Sequence, residues 1–384
     1  MNSYLQRFQQ LETPFYFYDL GLLKQTLEAV RKETAGFPYI IHYALKANTN
    51  DRVLKTIAEH GFGADCVSGN EVKKALEVGF DPSHIVFAGV GKTDKEMKYA
   101  LEQDIFSFNV ESVQELEVLE DLAKQAGKKV QFALRLNPNV DAGTHEYITT
   151  GKRNNKFGIT FSELKSSLNQ IKDLKYLQFI GIHFHIGSQI SELDRFSQLV
   201  EKVNEIQSFL RGEGFDLPHV NVGGGLGIDY ESPDEESIPD FKTYFEAFKR
   251  GLQLAEGQKL HFELGRSLVG QCGSLISRVL YNKPGEGTTF LIIDAGMTEL
   301  IRPALYQATH KIQNLTSAEP DEAVYDVVGP ICETSDAFAR KIYLPESRRG
   351  DLLAIRSAGA YAEVMSSSYN LRDRAPSYFS EDMR

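Results

Sequence analysis

The chain has 384 residues, of which 42% are hydrophobic and 25% are charged, a composition typical of a globular protein large enough for two domains. Its formal net charge of −11 argues against a nucleic acid or an anionic membrane surface as a partner. No signal-peptide pattern or membrane-length apolar run is present, and three scattered cysteines, Cys66, Cys272 and Cys332, suit a reducing, cytoplasmic compartment.

After a strand-like run at 14–20, strand and helix patterns alternate along the chain as far as residue 265. Short apolar or β-branched runs predict eight strands, at 39–46, 63–68, 85–89, 105–110, 130–137, 179–187, 219–225 and 259–265. Amphipathic segments separate them, and the longest predicts a helix over 191–214. Eight strands joined by seven helices predict a (β/α)8 barrel of the TIM type. A doubly wound sheet is the alternative, and it usually has fewer strands.

The pattern changes after residue 272, where strand-like runs follow one another with little helical periodicity between them. They cover 273–283, 288–296, 323–330 and 350–361. These runs predict an antiparallel β domain, a β-barrel or β-sandwich, which the strand at 14–20 could join. We therefore expect a barrel domain at 37–271 and a β domain formed by 1–36 and 272–384.

Polar residues gather at the predicted carboxyl ends of the barrel strands, where enzymes with this fold place their active sites. Each residue alone could be a turn or capping residue, but together they predict a site. They are Lys46, Asp65, Asn109, Arg135, Asn137, His185, Gly223–Gly225, Glu263 and Arg266.

Lys46 ends an apolar run, although lysine is rarely buried without a partner. The glycine cluster at 221–228 could bring backbone N–H groups close to a phosphate, or could simply be a tight turn, and it lacks the G-x-G-x-x-G spacing. A lysine, a phosphate site and the carboxylate of Glu263 at one barrel mouth suggest pyridoxal phosphate (PLP). Lys46 would form its Schiff base, and Glu263 would hold its pyridine nitrogen protonated. His185 would stack on the ring, and Arg266 would contact the phosphate.

A metal hydrolase is the competing chemistry, because His183, His185, His261 and Glu263 could face one interior. Two histidines in H-x-H spacing are a weak metal signal, however, and a lysine entering the same site would repel a cation. We therefore expect no metal.

Seven segments, taken in order along nearly the whole chain, resemble the diaminopimelate decarboxylase family. This family consists of fold-type III PLP enzymes related to ornithine and arginine decarboxylases. The segments are YALKAN (43–48), HFHIGSQ (183–189), VNVGGGLG (220–227), ELGR (263–266), RPALY (302–306), GPICETSD (329–336) and GAYAEVMSSSYN (359–370). A further segment, 144–159, is similar to the family's loop after the fifth barrel strand.

The resemblance implies an alanine-racemase-like barrel, followed by a β domain, in a homodimer with shared active sites. It also implies that Lys46 is the Schiff-base lysine, that His185 stacks on the cofactor and that Glu263 pairs with the pyridine nitrogen. The residues expected around the cofactor are Lys46, Asp65, His185, Ser188, Gly225, Glu263, Gly265, Arg266 and Tyr361.

By the same resemblance, Cys332 is the proton donor, and it reaches in from the partner chain together with Glu333. Glu333 would bind the distal ammonium group of the substrate. The residues expected to bind substrate are Arg266, Arg302, Tyr306, Glu333 and Tyr361.

The expected reaction is the decarboxylation of meso-diaminopimelate to L-lysine and carbon dioxide. A substrate with a second amino-acid head needs a second anion site, which Arg302 with Tyr306 can supply, and a countercharge, which Glu333 can supply. Two alternatives stay open at this point. One is a sibling decarboxylase for ornithine, arginine or carboxynorspermidine, and the other is a non-catalytic homologue that only binds a partner.

Overall fold

A computed structural model of the chain describes residues 2–140, 155–317 and 322–383. Most of the loop-like segment 144–159 therefore lies outside the described residues. The chain forms two compact units. One, here called the β unit, comprises Met1–Thr26, Ile228–Pro239 and Leu268–Arg384; the other, the barrel unit, comprises Leu27–Gly227 and Asp240–Ser267. The expected domain limits stay a prediction, and Ile228–Pro239 lies within the expected barrel range although it groups with the β unit.

The secondary structure alternates as expected in the first two thirds of the chain. The strands are β1 (Phe15–Tyr18), β2 (Tyr39–Ala44), β3 (Gly63–Cys66), β4 (Ile85–Phe87), β5 (Ser107–Val110), β6 (Val130–Arg135), β7 (Leu177–His183), β8 (His219–Asn221), β9 (Lys259–Leu264), β10 (Gly273–Pro284), β11 (Thr289–Ile293), β12 (Ile312–Asn314), β13 (Glu322–Val328), β14 (Ala337–Pro345), β15 (Leu352–Ile355) and β16 (Ser377–Phe379). The α-helices are α1 (Leu5–Phe8), α2 (Leu20–Thr34), α3 (Asp51–Glu59), α4 (Gly69–Val78), α5 (Asp94–Glu102), α6 (Val113–Ala126), α7 (Phe161–Asp173), α8 (Asp194–Gly212), α9 (Phe241–Gly251), α10 (Arg266–Val269) and α11 (Arg302–Tyr306). The 3₁₀ helices are Asn2–Tyr4, Leu45–Ala47, Pro82–His84, Glu363–Met365, Tyr369–Leu371 and Ser380–Met383.

Strands β2 to β9 form a closed parallel barrel in which each strand pairs with the next and β9 pairs with β2. Helices α3 to α9 are the seven crossovers between successive strands. This architecture confirms the predicted barrel. It directs the carboxyl ends of all eight strands to one face, which is the usual location of the active site in this fold.

Most crossover helices start where a side-chain oxygen accepts a hydrogen bond from the first helical turn. Asn50, Ser68, Thr93, Ser112 and Thr160 cap α3 to α7 in this way. Such caps satisfy backbone N–H groups that have no partner within the helix. They fix where each strand-to-helix loop ends, and these are the loops at the active face.

The strands end earlier than their sequence patterns predicted. Lys46 lies in the 3₁₀ turn Leu45–Ala47 rather than in β2, and β8 ends at Asn221 rather than at residue 225. Gly223 and Gly225 have φ angles of 68° and 111°, which turn the chain out of the strand. Polar groups at these positions therefore sit on turns above the barrel.

The sheet of the β unit runs in the order β12-β15-β10-β11-β13-β14, and β1 pairs with both β10 and β16. The predicted β domain and the predicted pairing of the N-terminal strand are confirmed. The sheet is mixed rather than wholly antiparallel, because β11 pairs with β13, and β1 with β16, in parallel. Its core includes the buried residues Phe8, Phe15, Phe17, Ile276, Leu352, Ala354 and Met383. Among the described helices, none has both the length and the apolar character needed to cross a membrane.

Candidate active site

Glu263 is a buried carboxylate at the end of β9 with three side-chain donors around it. Its oxygens accept hydrogen bonds from Asn109 Nδ2 at 3.1 Å and Asn221 Nδ2 at 2.8 Å, and lie 3.0 Å from His183 Nε2. Burial acts to raise the pKa of Glu263, but the interaction and hydrogen bond with His183, together with the charge of Lys46, hold that pKa well below its usual range. Glu263 is therefore an anion inside the barrel mouth.

Asp65 is the second buried carboxylate of the barrel mouth, and it lacks the hydrogen-bond donors that surround Glu263 in the described part of the chain. Among the described residues, neither of its side-chain oxygens has a hydrogen-bond partner, and Oδ2 lies 3.8 Å from Lys46 Nζ. Burial, reinforced by the charge of Glu263, raises the pKa of Asp65 to about 8, while Lys46 acts in the other direction. Because donors surround Glu263 and, within the described part of the chain, none contacts Asp65, the negative charge of the pair is favoured on Glu263.

Lys46 differs from Lys92, a lysine with a completely buried side chain that sequence inspection missed. Lys92 Nζ lies 2.6 Å from Glu115 Oε1 and 2.8 Å from each of the carbonyl oxygens of Gly89 and Asn109, so all three N–H groups are used. The side chain of Lys46 is instead 40% exposed, beside the carboxylate of Asp65, which has no hydrogen-bond partner in the described part of the chain. The surroundings of Lys92 are those of a structural lysine, whereas the side chain of Lys46 reaches solvent beside Asp65.

The glycine-rich turn after β8 is packed too closely for side chains. A Cβ atom on Gly224 would overlap the carbonyl oxygen of Glu263, and one on Gly225 would lie 2.7 Å from the carbonyl oxygen of Gly187. Hydrogen bonds at 2.9 and 3.1 Å join Ile190 of the loop after β7 to this turn. The two loops therefore form one backbone surface, on which small residues leave room for an anion.

Ser188 and Arg266 stand beside that surface. Ser188 Oγ accepts hydrogen bonds from Arg266 Nε at 3.3 Å and Nη2 at 3.1 Å. Arg266 is buried at the start of α10, and next to it a Cβ atom on Gly265 would lie 3.1 Å from Ala47 Cβ and 3.2 Å from Ala44 Cβ. A guanidinium, a hydroxyl and a glycine turn together form a setting for a phosphate group.

His185 lies on the same loop as Ser188, and its imidazole is neutral. The backbone N–H of Gly224 donates to Nδ1 at 3.3 Å, which places the ring proton on Nε2. Burial lowers the pKa of His185 well below its usual range, and the charges of Lys46 and Arg135 add to that effect. A neutral, flat ring at this position can lie against an aromatic ligand.

Three histidines below Glu263 are joined by hydrogen bonds between their ring nitrogens, an arrangement that sequence inspection did not foresee. His42 Nε2 lies 2.8 Å from His261 Nδ1, and His261 Nε2 lies 2.8 Å from His219 Nδ1. Burial lowers the pKa of His42 to about 4. Both nitrogens of His261 are thus engaged, so it cannot also serve the metal site considered from the sequence. Within the described part of the chain, no group of three or more His, Cys, Asp or Glu side chains is placed to hold a metal ion.

In the β unit, Arg302 and Tyr306 open and close the short helix α11. Arg302 is buried, with Nη1 2.7 Å from His310 Nε2 and its guanidinium carbon 4.5 Å from the centre of the Tyr230 ring. Tyr306 is half-buried. This unit therefore carries a fixed cation and, at the other end of the same short helix, a half-buried phenol.

Cys332 and Glu333 lie in the turn between β13 and β14, and both are exposed. The backbone N–H of Cys332 donates to Asn370 Oδ1 at 3.1 Å, and Tyr369 donates its hydroxyl hydrogen to Glu333 Oε1 at 2.8 Å. Tyr361 is half-buried with a φ of 58°, a left-handed conformation that favours glycine. These residues lie on turns of the β unit rather than in its core.

The barrel unit brings together its sequence-predicted residues, namely Lys46, Asp65, His185, Ser188, Gly225, Glu263, Gly265 and Arg266. Asn109 contacts Glu263, whereas Arg135 pairs with Glu111 at 2.7 Å, and Asn137 accepts from the backbone of Asn139 in a turn. Arg302, Tyr306, Cys332, Glu333 and Tyr361 belong to the β unit. Sequence inspection missed Asn221 as a partner of Glu263, although its place at the end of β8 was a usable signal.

Comparisons with known proteins identify the family to which the chain belongs. The family model for the pyridoxal-dependent decarboxylases, pyridoxal binding domain, matches residues 20–270. Diaminopimelate decarboxylase of Bacteroides thetaiotaomicron is 53% identical over 380 residues, which cover 99% of this chain and 98% of that protein. The Aquifex aeolicus diaminopimelate decarboxylase is 44% identical over 96% of this chain and 86% of its own.

A solved structure gives the same result for the fold. Diaminopimelate decarboxylase from Helicobacter pylori, in complex with L-lysine, superposes with a TM-score of 0.93 and 40% identity, covering 99% of this chain and 94% of that one. The likeness extends over both units and is far above the level at which only the fold is shared. The chain belongs to the diaminopimelate decarboxylases of the pyridoxal-dependent decarboxylase family.

Proposed function

We propose that this chain catalyses the PLP-dependent decarboxylation of meso-2,6-diaminopimelate to L-lysine and carbon dioxide, the last step of lysine biosynthesis. The observation that carries the proposal is the barrel mouth, where Lys46 stands beside the buried Asp65, near an anionic Glu263 and a glycine turn. We infer the substrate from relatives that match nearly the whole chain and share the name diaminopimelate decarboxylase. We place the enzyme in the cytoplasm, in keeping with the spacing of its cysteines.

The residues of the mouth fit PLP by three separate features. Asp65 is buried without a hydrogen-bond partner among the described residues, so the mouth has an unused polar group facing Lys46. A Cβ atom at Gly224 or Gly225 would clash with the carbonyl oxygen of Glu263 or Gly187, so the turn beside Ser188 can present only backbone to a phosphate. Glu263 remains anionic despite burial, as a carboxylate must if it is to face a protonated pyridine nitrogen.

Lys46 would hold the cofactor covalently through Nζ, and Glu263 would keep a proton on the ring nitrogen. His185 would lie against the ring, while Ser188, Arg266 and the amides at Gly225 would hold the phosphate, with Gly265 leaving room beside Lys46. When bound, PLP supplies an electron sink for the electron pair that the departing carbon dioxide leaves behind. Asp65 would hold or release a proton next to Lys46 Nζ.

The substrate carries two amino-acid heads, so it needs charged partners at both ends. Arg302 and Tyr306 would bind the carboxylate of the distal head, with Arg266 and Tyr361 also near the substrate. A buried guanidinium binds a carboxylate more strongly than an exposed one, because water competes less for it. Glu333 would bind the distal ammonium group, which a simple diamine precursor presents without the accompanying carboxylate.

Each turnover replaces a carboxylate by a hydrogen and so consumes one proton. Cys332 would deliver that proton from Sγ to the carbon that lost carbon dioxide. We place Cys332 and Glu333 in the active site of the partner chain of a homodimer. Their exposure supports this, as do the neighbouring apolar side chains of Tyr369 and Leu371, which are 47% and 96% exposed.

A substrate panel tests the proposal. Purified protein loaded with PLP is incubated separately with meso-diaminopimelate, ornithine, arginine and carboxynorspermidine, and the products are identified by mass spectrometry. We expect L-lysine and carbon dioxide in equal amounts from meso-diaminopimelate and little product from the others, with Lys46→Ala as the inactive control. If ornithine, arginine or carboxynorspermidine is decarboxylated instead, the proposed substrate is wrong. If none of the four compounds is decarboxylated, the proposed activity is refuted.

A further inference from the structure

Arg302 is held by a histidine, and the direction of each hydrogen bond in this contact is fixed by geometry. His310 Nδ1 lies 2.8 Å from the carbonyl oxygen of Arg356, which can only accept, so Nδ1 carries the proton. His310 Nε2 lies 2.7 Å from Arg302 Nη1, which can only donate, so Nε2 is a bare acceptor. Only the neutral imidazole with its proton on Nδ1 satisfies both contacts.

A second contact restrains the same guanidinium out of its plane. The Tyr230 ring lies under it at 4.5 Å and also meets the His310 ring edge-on, with ring centres 4.9 Å apart. The backbone N–H of Lys311 donates to the Tyr230 carbonyl oxygen at 2.9 Å, and the N–H of Arg356 donates to the Lys311 carbonyl oxygen at 2.8 Å. Both neighbours of Arg302 are thus tied to one backbone segment at the edge of the sheet.

The residue that contacts the Arg302 guanidinium, His310, carries no charge, and this affects how strongly Arg302 can attract an anion. A carboxylate at the place of His310 would orient the guanidinium equally well, but it would also cancel much of its charge. A neutral imidazole orients the cation without cancelling its charge. Both Arg302 and His310 are buried, where such a charge attracts an anion most strongly.

We propose that His310 is a positioning residue that orients Arg302 toward the distal carboxylate of the substrate. The inference rests on the proposed function, in which Arg302 binds that carboxylate. His310 itself does not touch the substrate. Its role is to fix one Nη1 N–H, with Tyr230 fixing the plane, so that the guanidinium is already aimed before the substrate arrives.

Two matched substitutions of His310 separate its two hydrogen bonds. The side-chain amide of His310→Asn reaches the position of Nδ1, so it keeps the donor to Arg356 and loses the acceptor for Arg302. The carbonyl oxygen of His310→Gln reaches the position of Nε2, so it keeps the acceptor for Arg302. We expect His310→Asn to raise KM for meso-diaminopimelate about 10-fold or more, with a smaller change in kcat. We expect His310→Gln to stay within about 3-fold of the unsubstituted enzyme.

Ligand binding to the PLP-loaded enzyme gives a readout that a general structural defect would not produce. L-lysine retains one carboxylate, whereas cadaverine has the same chain and two amines but no carboxylate. Used as competitors of meso-diaminopimelate, the two should respond differently to His310→Asn. The inhibition constant of L-lysine should rise about 10-fold, in step with KM, and that of cadaverine should stay unchanged.

An Arg302→Lys background shows whether His310 acts through Arg302. We expect His310→Asn to add little there, because the guanidinium that it positions is already gone. If the His310→Asn protein does not fold, Tyr230→Leu removes the other restraint and should weaken L-lysine but not cadaverine.

The inference is overturned if His310→Asn and His310→Gln have the same KM, if L-lysine and cadaverine weaken together, or if the His310→Asn effect persists undiminished with Arg302→Lys. The activity of the unsubstituted enzyme distinguishes this failure from that of the proposed function. An unsubstituted enzyme that forms no L-lysine refutes the function itself, whereas an active one insensitive to His310→Asn refutes only the positioning role.

Discussion

At the scale of single residues, the barrel mouth keeps two carboxylates in different protonation states. Glu263 has three hydrogen-bond donors and is an anion, whereas Asp65 has none among the described residues and holds a proton. Two negative charges close together in a buried site would repel each other, so the donors decide which group ionises. The folded protein gains a polar site for a ligand and loses stability at Asp65, a common exchange at active sites.

The first prediction concerns the pH dependence of stability in the cofactor-free protein. Burial raises the pKa of Asp65 to about 8 when folded, against an ordinary value near 4 when unfolded, so the folded state binds this proton more tightly. The stabilisation that this proton on Asp65 gives to the folded state is fully present below the pKa of the unfolded state. It is lost as the pH rises toward 8. Asp65→Asn should therefore raise the thermal midpoint by several degrees at pH 8 and little at pH 4, while lowering activity.

Thermal unfolding of the cofactor-free Asp65→Asn and unsubstituted proteins across that pH range checks this. A midpoint difference that does not grow with pH would contradict the raised pKa. Glu205→Gln, an exposed change in a surface ion pair on α8, serves as the control for removing a carboxylate.

The second prediction separates the two lysines by what each substitution destroys. Lys92→Met leaves Glu115 buried without its cation and should lower the free energy of unfolding by about 3–5 kcal/mol. Lys46→Ala removes a half-exposed side chain and should abolish turnover while leaving the free energy of unfolding nearly unchanged. Denaturant unfolding and activity measured on both variants test this. A Lys46→Ala protein as destabilised as Lys92→Met would refute the distinction.

Residue identities at the strand ends could be predicted because a barrel fixes which ends meet. Lys46 and Glu263 were found in this way, from the ends of the first and last strands. The partners of Glu263 could not be ranked, because the reach of His183 and Asn221 depends on where each strand stops. His310 was missed altogether, since its hydrogen bond to Arg356 spans 46 positions and has no local pattern.

At the scale of elements, the turn after β8 explains how the site keeps its shape. Gly224 packs against the carbonyl oxygen of Glu263, so the glycine turn and the end of β9 are one packed unit. The sequence run at 219–225 looked like a strand because its residues before the glycines are β-branched or polar. Positive φ angles at Gly223 and Gly225 end the strand early, and hydrophobic patterns do not report φ angles.

The third prediction tests that packing. Gly224→Ala places a methyl group against backbone, which cannot move as a flexible side chain could, and should cost about 1–3 kcal/mol of unfolding free energy and weaken PLP binding. Gly212→Ala is the matched control, because it lies at the end of α8 and its Cβ meets nothing within 4 Å among the described residues. That control should be neutral or stabilising by about 0.5–1 kcal/mol. Equal effects of the two substitutions on PLP affinity would contradict this view of the turn.

At the scale of the whole molecule, the order of patterns predicted two architectures, and both are present. The eight alternations of strand and helix specify a barrel because parallel strands need crossovers. Two parallel pairs in the β unit were not foreseen, since β1 and β16 come from opposite ends of the chain. Nor does any local pattern place Ile228–Pro239 with the β unit, where Tyr230 contacts Arg302.

The fourth prediction concerns the proposed shared sites of a homodimer. Lys46→Ala and Cys332→Ala are each expected to be inactive alone, because every site would lack one of the two groups. Mixed and allowed to exchange in equal amounts, half of the dimers would be hybrid, each with one complete site, which gives about one quarter of full activity. No recovery after subunit exchange, with hybrid dimers confirmed by native mass spectrometry, would mean that each chain builds its own site.

The most direct measurement is the position at which PLP is attached to the chain. Reduction of the PLP-loaded protein with borohydride fixes the cofactor to the lysine that holds it, and peptide mass mapping then locates the pyridoxyl group. We predict the pyridoxyl group on the peptide that contains Lys46 and on no other, with Lys46→Ala left unlabelled. A pyridoxyl group on Lys92 or another lysine, or none on a protein that decarboxylates meso-diaminopimelate, would contradict it.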